Sequence, residues 1–197
     1  KDALAQGNQG IGPGTTGASS TTTDDGNWNF AKNKTYSKRV SGTTDLLLRY
    51  EGYGGFTRLR YFYDKEIMDE SRDTDAFGNS RPINDEGREQ AGADVRFLDA
   101  YIWGDFWLGE DTPVSLRFGK QVVSWGESTF IFGGVNSINP IDFAAVRAPG
   151  AQVKDVLIPV NLLYGSVGVS DDVTVEGFYQ LQWEPVQLDP CGTFFSN

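Results

Sequence analysis

Two pairs of carboxylates have the residue types that glycoside hydrolysis requires. Asp99 precedes Asp105 in one stretch of the chain, and Glu176 precedes Glu184 in another. A glycosidase needs one carboxylic acid and one carboxylate beside the bond that it breaks. However, the chain has 27 Asp and Glu residues, so such pairs arise by chance, and it has no His to serve as the commonest general base. We therefore expect no catalytic activity.

A partial calcium-loop spacing lies between residues 73 and 84. Asp73, Asp75 and Gly78 match it, but Phe77 occupies a ligand position and Asn84 stands where a bidentate Glu is needed. A solvated acidic loop is the better interpretation. The sequence thus predicts neither a metal site nor a cofactor.

Charged side chains recur at alternate positions of strand-like segments, which places them on one face. The arginines of this face are Arg49, Arg58 and Arg60, joined by Arg117. Arginines this close repel each other unless carboxylates such as Asp45 and Asp99, or an anionic ligand, neutralise them. The other members of the face are Asp45, Asp99, Tyr101, Trp103, Asp105, Gln121, Glu176 and Gln180. They either line a path for a solute or simply pack inside a barrel.

The segments that must position these residues have the period of two that is typical of β-strands. They are Thr43 to Glu51, Phe56 to Asp64, Val95 to Trp107, Val114 to Val123, a less regular run from Val156 to Val169, and Val173 to Trp183. Short joints alternate with long excursions between them. This pattern of tight turns on one rim and long loops on the other predicts an all-β fold, an antiparallel transmembrane β-barrel.

The opposite face of the same segments is apolar. Its members include Leu46, Leu48, Leu59, Ile102, Leu116, Val175 and Leu181, which we expect to face lipid. Aromatic side chains gather at both strand ends, as two interfacial girdles do: Tyr50, Tyr53, Phe56, Phe106 and Trp107 beside the short joints, and Tyr61, Tyr63, Trp125 and Trp183 beside the long ones. About six strands are too few to close a barrel, so we expect a longer polypeptide.

A soluble, half-exposed sheet has the same alternation, so two other interpretations stay open. One is a soluble β-sandwich or jelly roll that binds or cleaves glycans, with Trp103, Trp107 and Trp183 as a stacking platform. The other is a structural surface module. The net charge of -10 argues against nucleic acid as a partner, because phosphates need a basic surface.

The chain divides into a tail and a barrel part. Residues 1–42 are rich in Gly, Ser and Thr and predict an external loop or tail, whereas residues 43–197 belong to the barrel. The loop at 128–155 has more apolar residues than a solvated loop needs, so it packs either on the outer rim or, as we favour, inside the lumen. The polar residues of this constriction loop are Asn136, Asn139, Asp142, Arg147 and Lys154.

Four motifs carry a resemblance to a known family. They are DDGNWNF at 24–30, YFYD at 61–64, GKQVVSWGE at 119–127 and PCGTFFS at 190–196. From about Asp24 onward the chain resembles an outer-membrane barrel family of Gram-negative bacteria that is known only as the domain of unknown function numbered thirteen-oh-two. The lone Cys191 is either a free thiol or half of a disulfide, and the resemblance favours a partner further along the chain.

The resemblance also implies a location and partners. We expect a porin-like channel or transporter component in the outer membrane, in contact with lipid and lipopolysaccharide, that passes or binds small, hydrophobic or amphiphilic molecules. The resemblance further implies that the protein functions together with an inner-membrane exporter.

Overall fold

The structure is a computed structural model. It describes residues 29–30, 33–70, 83–125, 138–148 and 153–195, without the side chains of residues 153 and 154. Most of the predicted tail, the partial calcium loop at Asp73 to Gly78, and Asn136 lie outside the described residues. The side chain of Lys154 does as well.

Six strands form where the alternation predicts them. They are β1 (Arg39–Tyr50), β2 (Tyr53–Asp64), β3 (Ala93–Leu108), β4 (Thr112–Gln121), β5 (Val160–Ser170) and β6 (Val173–Gln180). Among the described residues, four short helices lie between the strands: α1 (Lys65–Met68), α2 (Asp85–Ala91), α3 (Phe143–Arg147) and α4 (Val153–Val156). β1 begins four residues before its predicted start at Thr43. None of the helices in the described part of the chain is long and apolar enough to cross a membrane.

The strands form one sheet in which neighbours in space are neighbours in the chain, in the order β1-β2-β3-β4-β5-β6. β3, β4, β5 and β6 pair antiparallel in succession. Within the described residues the sheet is open, with β1 and β6 at its edges. The prediction of a mostly β, antiparallel fold is therefore confirmed.

The strand register places the apolar residues of the last four strands on one face. Ile102 pairs with Phe118, Phe118 with Leu163, and Leu163 with Tyr179. A second row, Phe106, Val114, Val167 and Val175, is paired in the same way. We call this surface the apolar face. It is largely uncovered, since Ile102 is 62% and Tyr179 70% exposed.

The other side of these strands carries a row of mixed chemistry, in which Trp103 pairs with Arg117, Arg117 with Tyr164 and Tyr164 with Phe178. We call it the polar face. At one end it also bears an apolar core, which consists of Val123, Val160, Leu162 and Tyr164 with Ile138 packed against it.

The alternation of β3 changes phase at Leu98 and Asp99, which are both buried. Val95 and Phe97 are exposed before this point, and Ile102 is exposed after it. One phase along the whole strand would place Phe97 on the same side as Asp99, yet Phe97 is 55% exposed and Asp99 is buried. The alternation of burial is therefore interrupted between Phe97 and Asp99.

The chain divides into two compact units. One contains Lys1–Ser41, Tyr61–Asp94 and Leu188–Asn197, and the other Gly42–Arg60 and Val95–Gln187. The residues named above for the polar face and the apolar face all belong to the second unit.

The first unit is organised around the buried carboxylate of Asp64. This carboxylate caps α1 by accepting hydrogen bonds from the backbone of Glu66 and Ile67, and it also accepts from Lys38 N at 2.9 Å and from the hydroxyl of Ser37. Lys38 in turn binds Glu66 at 2.7 Å, and this hydrogen bond raises the pKa of the lysine. Charged residues thus tie the start of β1 to the end of β2.

Candidate functional site

A cavity of about 600 Å³ opens on the polar face. Its lining comes from β1, the following turn and β2 to β5, and consists of Leu47, Arg49, Glu51, Tyr53, Tyr101, Trp103, Asp105, Ser115, Arg117, Tyr164 and Ser166. Five of these were predicted from the alternation alone: Arg49, Tyr101, Trp103, Asp105 and Arg117. The charged and aromatic side chains of one face therefore do converge on a common space.

Arg117 lies in the centre of an aromatic group within this cavity. Its guanidinium carbon is 4.2 Å from the ring centre of Tyr164 and 5.9 Å from that of Tyr101. Tyr101 also contacts Trp103, with ring centres 6.1 Å apart, and Phe56, at 5.6 Å. The rings hold the cation by cation–π contact, and Arg117 also hydrogen-bonds to the hydroxyl of Tyr164, which bonds to Glu176 as well.

Arg58 does not belong to the cavity lining, because carboxylates hold it. Its Nε and Nη2 atoms each donate to Asp45 at 2.8 Å, a bidentate pair, and Nη1 lies 3.7 Å from Asp99. Pairing with these two carboxylates is one of the two outcomes expected for the arginine cluster. Arg49, by contrast, lines the cavity.

Arg60 is buried in a second charged cluster. Its Nη2 lies 3.5 Å from Asp142, and its Nη1 donates to the backbone oxygen of Asp155 at 3.1 Å. Arg96 lies 3.9 Å from the same Asp142 oxygen and donates to Gln187 at 3.1 Å. Arg60 and Asp142 are only 6% and 3% exposed, so this pair is largely removed from water.

These contacts fasten the segment 138–148, which we call the plug segment, to the polar-face side of the second unit. Asp142 caps α3 by accepting a hydrogen bond from Ala145 N, and its own backbone pairs with Gln187 in a β-bridge. Ile141 forms another bridge with Leu157. Because Ile138 packs on the core that includes Leu162 and Tyr164, the described part of the constriction loop lies against the face that carries the cavity. Arg147 is at the exposed end of α3.

Asn139 completes the attachment of the plug segment by binding three backbone groups. Its side-chain oxygen accepts from Val123 N at 2.9 Å, and its amide nitrogen donates to the carbonyls of Gln121 and Ile158 at 3.3 and 3.0 Å. The residue is 3% exposed. A single amide thus satisfies backbone groups from three separate stretches of the chain.

Replacing Asn139 with Ala should expose these backbone groups without a partner, at a cost of roughly 1 to 3 kcal/mol for each buried group. We expect hydrogen exchange at the amide of Val123 to accelerate by at least about tenfold in the full-length protein. Asn161→Ala is the control, because the amide of Asn161 binds only the exposed side chain of Gln182. Equal exchange rates in the two variants would show that Asn139 does not hold the segment.

Other predicted site residues lie elsewhere on the polar face. Gln121 is fully buried and donates to the carbonyl of Leu162, so it lines no open space. Glu176 accepts a hydrogen bond from Trp125 Nε1 at 2.8 Å, and the ring of Trp125 contacts that of Phe178 at a tilt of 58°. Gln180 donates to the backbone of Gln182.

Tyr164 and Ser166 line the cavity, and the sequence analysis missed both. The adjacent leucines Leu162 and Leu163 and the glycines Gly165 and Gly168 obscured the alternation of β5. The register places Tyr164 opposite Phe178 and Ser166 opposite Glu176, after a shift between Gly168 and Ser170 that simple counting back from the turn at Asp171 and Asp172 does not give.

Asp99 and Asp105 are too far apart to act as a glycosidase pair. Asp99 and Asp105 are six residues apart on one strand, which corresponds to about 20 Å, whereas a glycosidase pair is separated by about 5 to 10 Å. Within the described residues, no three acidic or cysteine side chains converge in a way suited to a metal ion. The two arginines, several rings and hydroxyl groups of the cavity are suited to holding a small molecule.

Comparison with known proteins gives one match. A family model described as a protein of unknown function (DUF1302) matches residues 1–197. No curated protein and no solved structure matches the chain. The chain therefore belongs to the DUF1302 family, which confirms the resemblance found in the motifs and extends it over the first residues.

Proposed function

We propose that this member of the DUF1302 family is part of an outer-membrane β-barrel through which small solutes pass. The observation that carries the proposal is the division of one sheet into two chemically opposite faces. The apolar face is uncovered from β3 to β6, while its reverse carries Arg117, Asp105 and the cavity. In a barrel the first face contacts lipid and the second lines a water-filled path.

The free energies of exposing each face to lipid or to water favour a barrel over a sheet with water on both faces. A contiguous surface containing Ile102, Phe118, Leu163 and Tyr179 exceeds the scattered apolar residues that soluble proteins tolerate. Lipid would cover it at no cost. The charges of the polar face would cost about 2 to 4 kcal/mol each if they met lipid at mid-depth, but little in a hydrated lumen.

The open edges of the sheet fit the same proposal. β1 and β6 each have one sheet neighbour among the described residues, and a spanning sheet needs its edges paired. Further strands of the full-length protein would close the barrel between them. Lipid and lipopolysaccharide would be the partners of the apolar face, with an inner-membrane exporter as a further partner implied by the family resemblance.

Fractionation of a Gram-negative cell that expresses the full-length protein tests the proposal. We expect the protein in the outer-membrane fraction, resistant to urea and carbonate washes and released only by detergent, because the apolar face lies in lipid. A soluble glycan-binding protein or a peripheral surface module would be found in the aqueous wash. Release of most of the folded protein without detergent would overturn the proposal.

A further inference from the structure

We propose that the cavity around Arg117 binds small organic anions that carry a planar ring. The inference rests on the proposed function and names the class of solute that the path would select. It follows from the position of one cation among the aromatic rings of the cavity and from the place of the carboxylates near it.

Arg117 is the charge of the cavity that is best prepared to bind an anion. It is half-buried, and its contacts with Tyr164 and Tyr101 restrict the side chain before any ligand arrives. Neither Arg117 nor Arg49 is within salt-bridge distance of a carboxylate in the part of the chain that the structure describes. A planar guanidinium binds a carboxylate through two parallel hydrogen bonds, and a pre-oriented one loses less entropy in doing so.

The carboxylates of the cavity do not make an equivalent site for cations. Glu51 and Asp105 are both exposed, next to the short turns that end β1 and β3. Charge interactions are screened at such positions and strengthen where water is displaced, as it is around Arg117. An anion therefore gains more from Arg117 than a cation gains from either carboxylate. Arg49, which is exposed in the same cavity, adds positive potential at the entrance.

The aromatic rings of the cavity account for the second feature of the ligand, its planar ring. Tyr101 and Trp103 are tilted by 54° to each other with ring centres 6.1 Å apart, so the two rings do not form one closed stack. A planar apolar group can pack on such faces while its charged end reaches Arg117. The hydroxyls of Ser115 and Ser166 supply further polar contacts. About 600 Å³ is sufficient for a small two-ring molecule.

Block of ion current in a planar bilayer tests the inference on the full-length protein. KCl conductance is recorded first, and then naphthoate, neutral naphthylmethanol and cationic naphthylmethylammonium are added in turn. We expect naphthoate to block at a concentration about tenfold below that of the neutral probe, since a charge-assisted pair is worth about that factor. The cationic probe should be the weakest of the three.

Variants assign the effect to the cavity. Arg117→Gln should remove most of the preference for naphthoate and leave the neutral probe within about threefold of wild type, while Arg117→Lys should be intermediate. Tyr101→Ser should weaken all three probes alike, and it also keeps the test valid if Arg117→Gln fails to assemble. Equal block by the three probes, or an unchanged preference in both Arg117 variants, overturns the inference while the channel stands. A full-length protein without KCl conductance overturns the proposed function and the inference with it.

Discussion

Replacing Ile102 with Arg is expected to prevent assembly of the full-length protein in the outer membrane. Ile102 lies in the central row of the apolar face, between the short turns and the long loops, with its side chain 62% exposed. An arginine on the lipid face costs about 2 to 4 kcal/mol at mid-depth, which is a large part of the total stability of most proteins. The measurement is the amount of urea-resistant protein in the outer membrane compared with wild type.

Val175 and Thr174 provide a matched pair for the same test. They are neighbours on β6, are both exposed and have nearly identical shapes, but the register places Val175 on the apolar face and Thr174 on the other side. We expect Val175→Arg to reduce assembly, less than Ile102→Arg does because it lies nearer a turn, and Thr174→Arg to be accepted. Gln180→Arg, also on the polar face, should be accepted as well.

The two classes of variant would behave alike in a soluble sheet. Water then covers both faces, and surface substitutions change stability by less than about 0.5 kcal/mol. Equal tolerance of arginine at Val175 and Thr174 would therefore contradict the membrane assignment, whatever the location of the wild-type protein.

The alternation of apolar and polar residues was enough to predict five of the six strands and their short turns, whereas the run that contains β5 alternates poorly and was placed only because the chain must return before the turn at Asp171. In a strand that is apolar on one side, a shift of one residue would move every apolar side chain to the polar side. The pattern therefore determines both the strand and which residues lie on each of its faces. The phase change at Leu98 and Asp99 in β3 was not predictable, because the sequence on either side satisfies the period of two separately. The register shift between Gly168 and Ser170 in β5 likewise depends on the partner strand, which a single segment does not reveal.

The contacts of the predicted arginine cluster show that sequence-based prediction has the same limit at the candidate site. The sequence predicts that carboxylates such as Asp45 and Asp99, or an anionic ligand, neutralise the arginines, and Arg58 does lie beside both carboxylates. Arg60 follows Arg58 on the same side, yet its partner Asp142 comes from a distant loop. No local pattern gives such a contact. As a result, Arg58 and Arg60 are neutralised by carboxylates, and the cavity takes its positive charge from Arg49 and Arg117 instead.

Loss of the Asp142 carboxylate should release the plug segment. Asp142→Ala removes the cap of α3 and leaves Arg60 buried without this carboxylate, which typically costs about 3 to 5 kcal/mol. Because the plug segment packs on the cavity side of the sheet, we expect its release to widen the path and to raise single-channel conductance in a planar bilayer. Val146→Ala, at an exposed position of the same helix, should leave the conductance unchanged.

A double variant shows whether the expected effect of Asp142→Ala comes from the broken salt bridge or from a general loss of stability. If the cost of Asp142→Ala comes mainly from the buried charge of Arg60, then removing both charges with Arg60→Leu and Asp142→Leu should restore much of the stability, as replacement of a buried ion pair by apolar residues does elsewhere. The cap of α3 and the contact with Arg96 would still be absent. We therefore expect the double variant to assemble almost as well as wild type and yet to keep the raised conductance. Wild-type conductance in both Asp142 variants would place the plug segment outside the solute path.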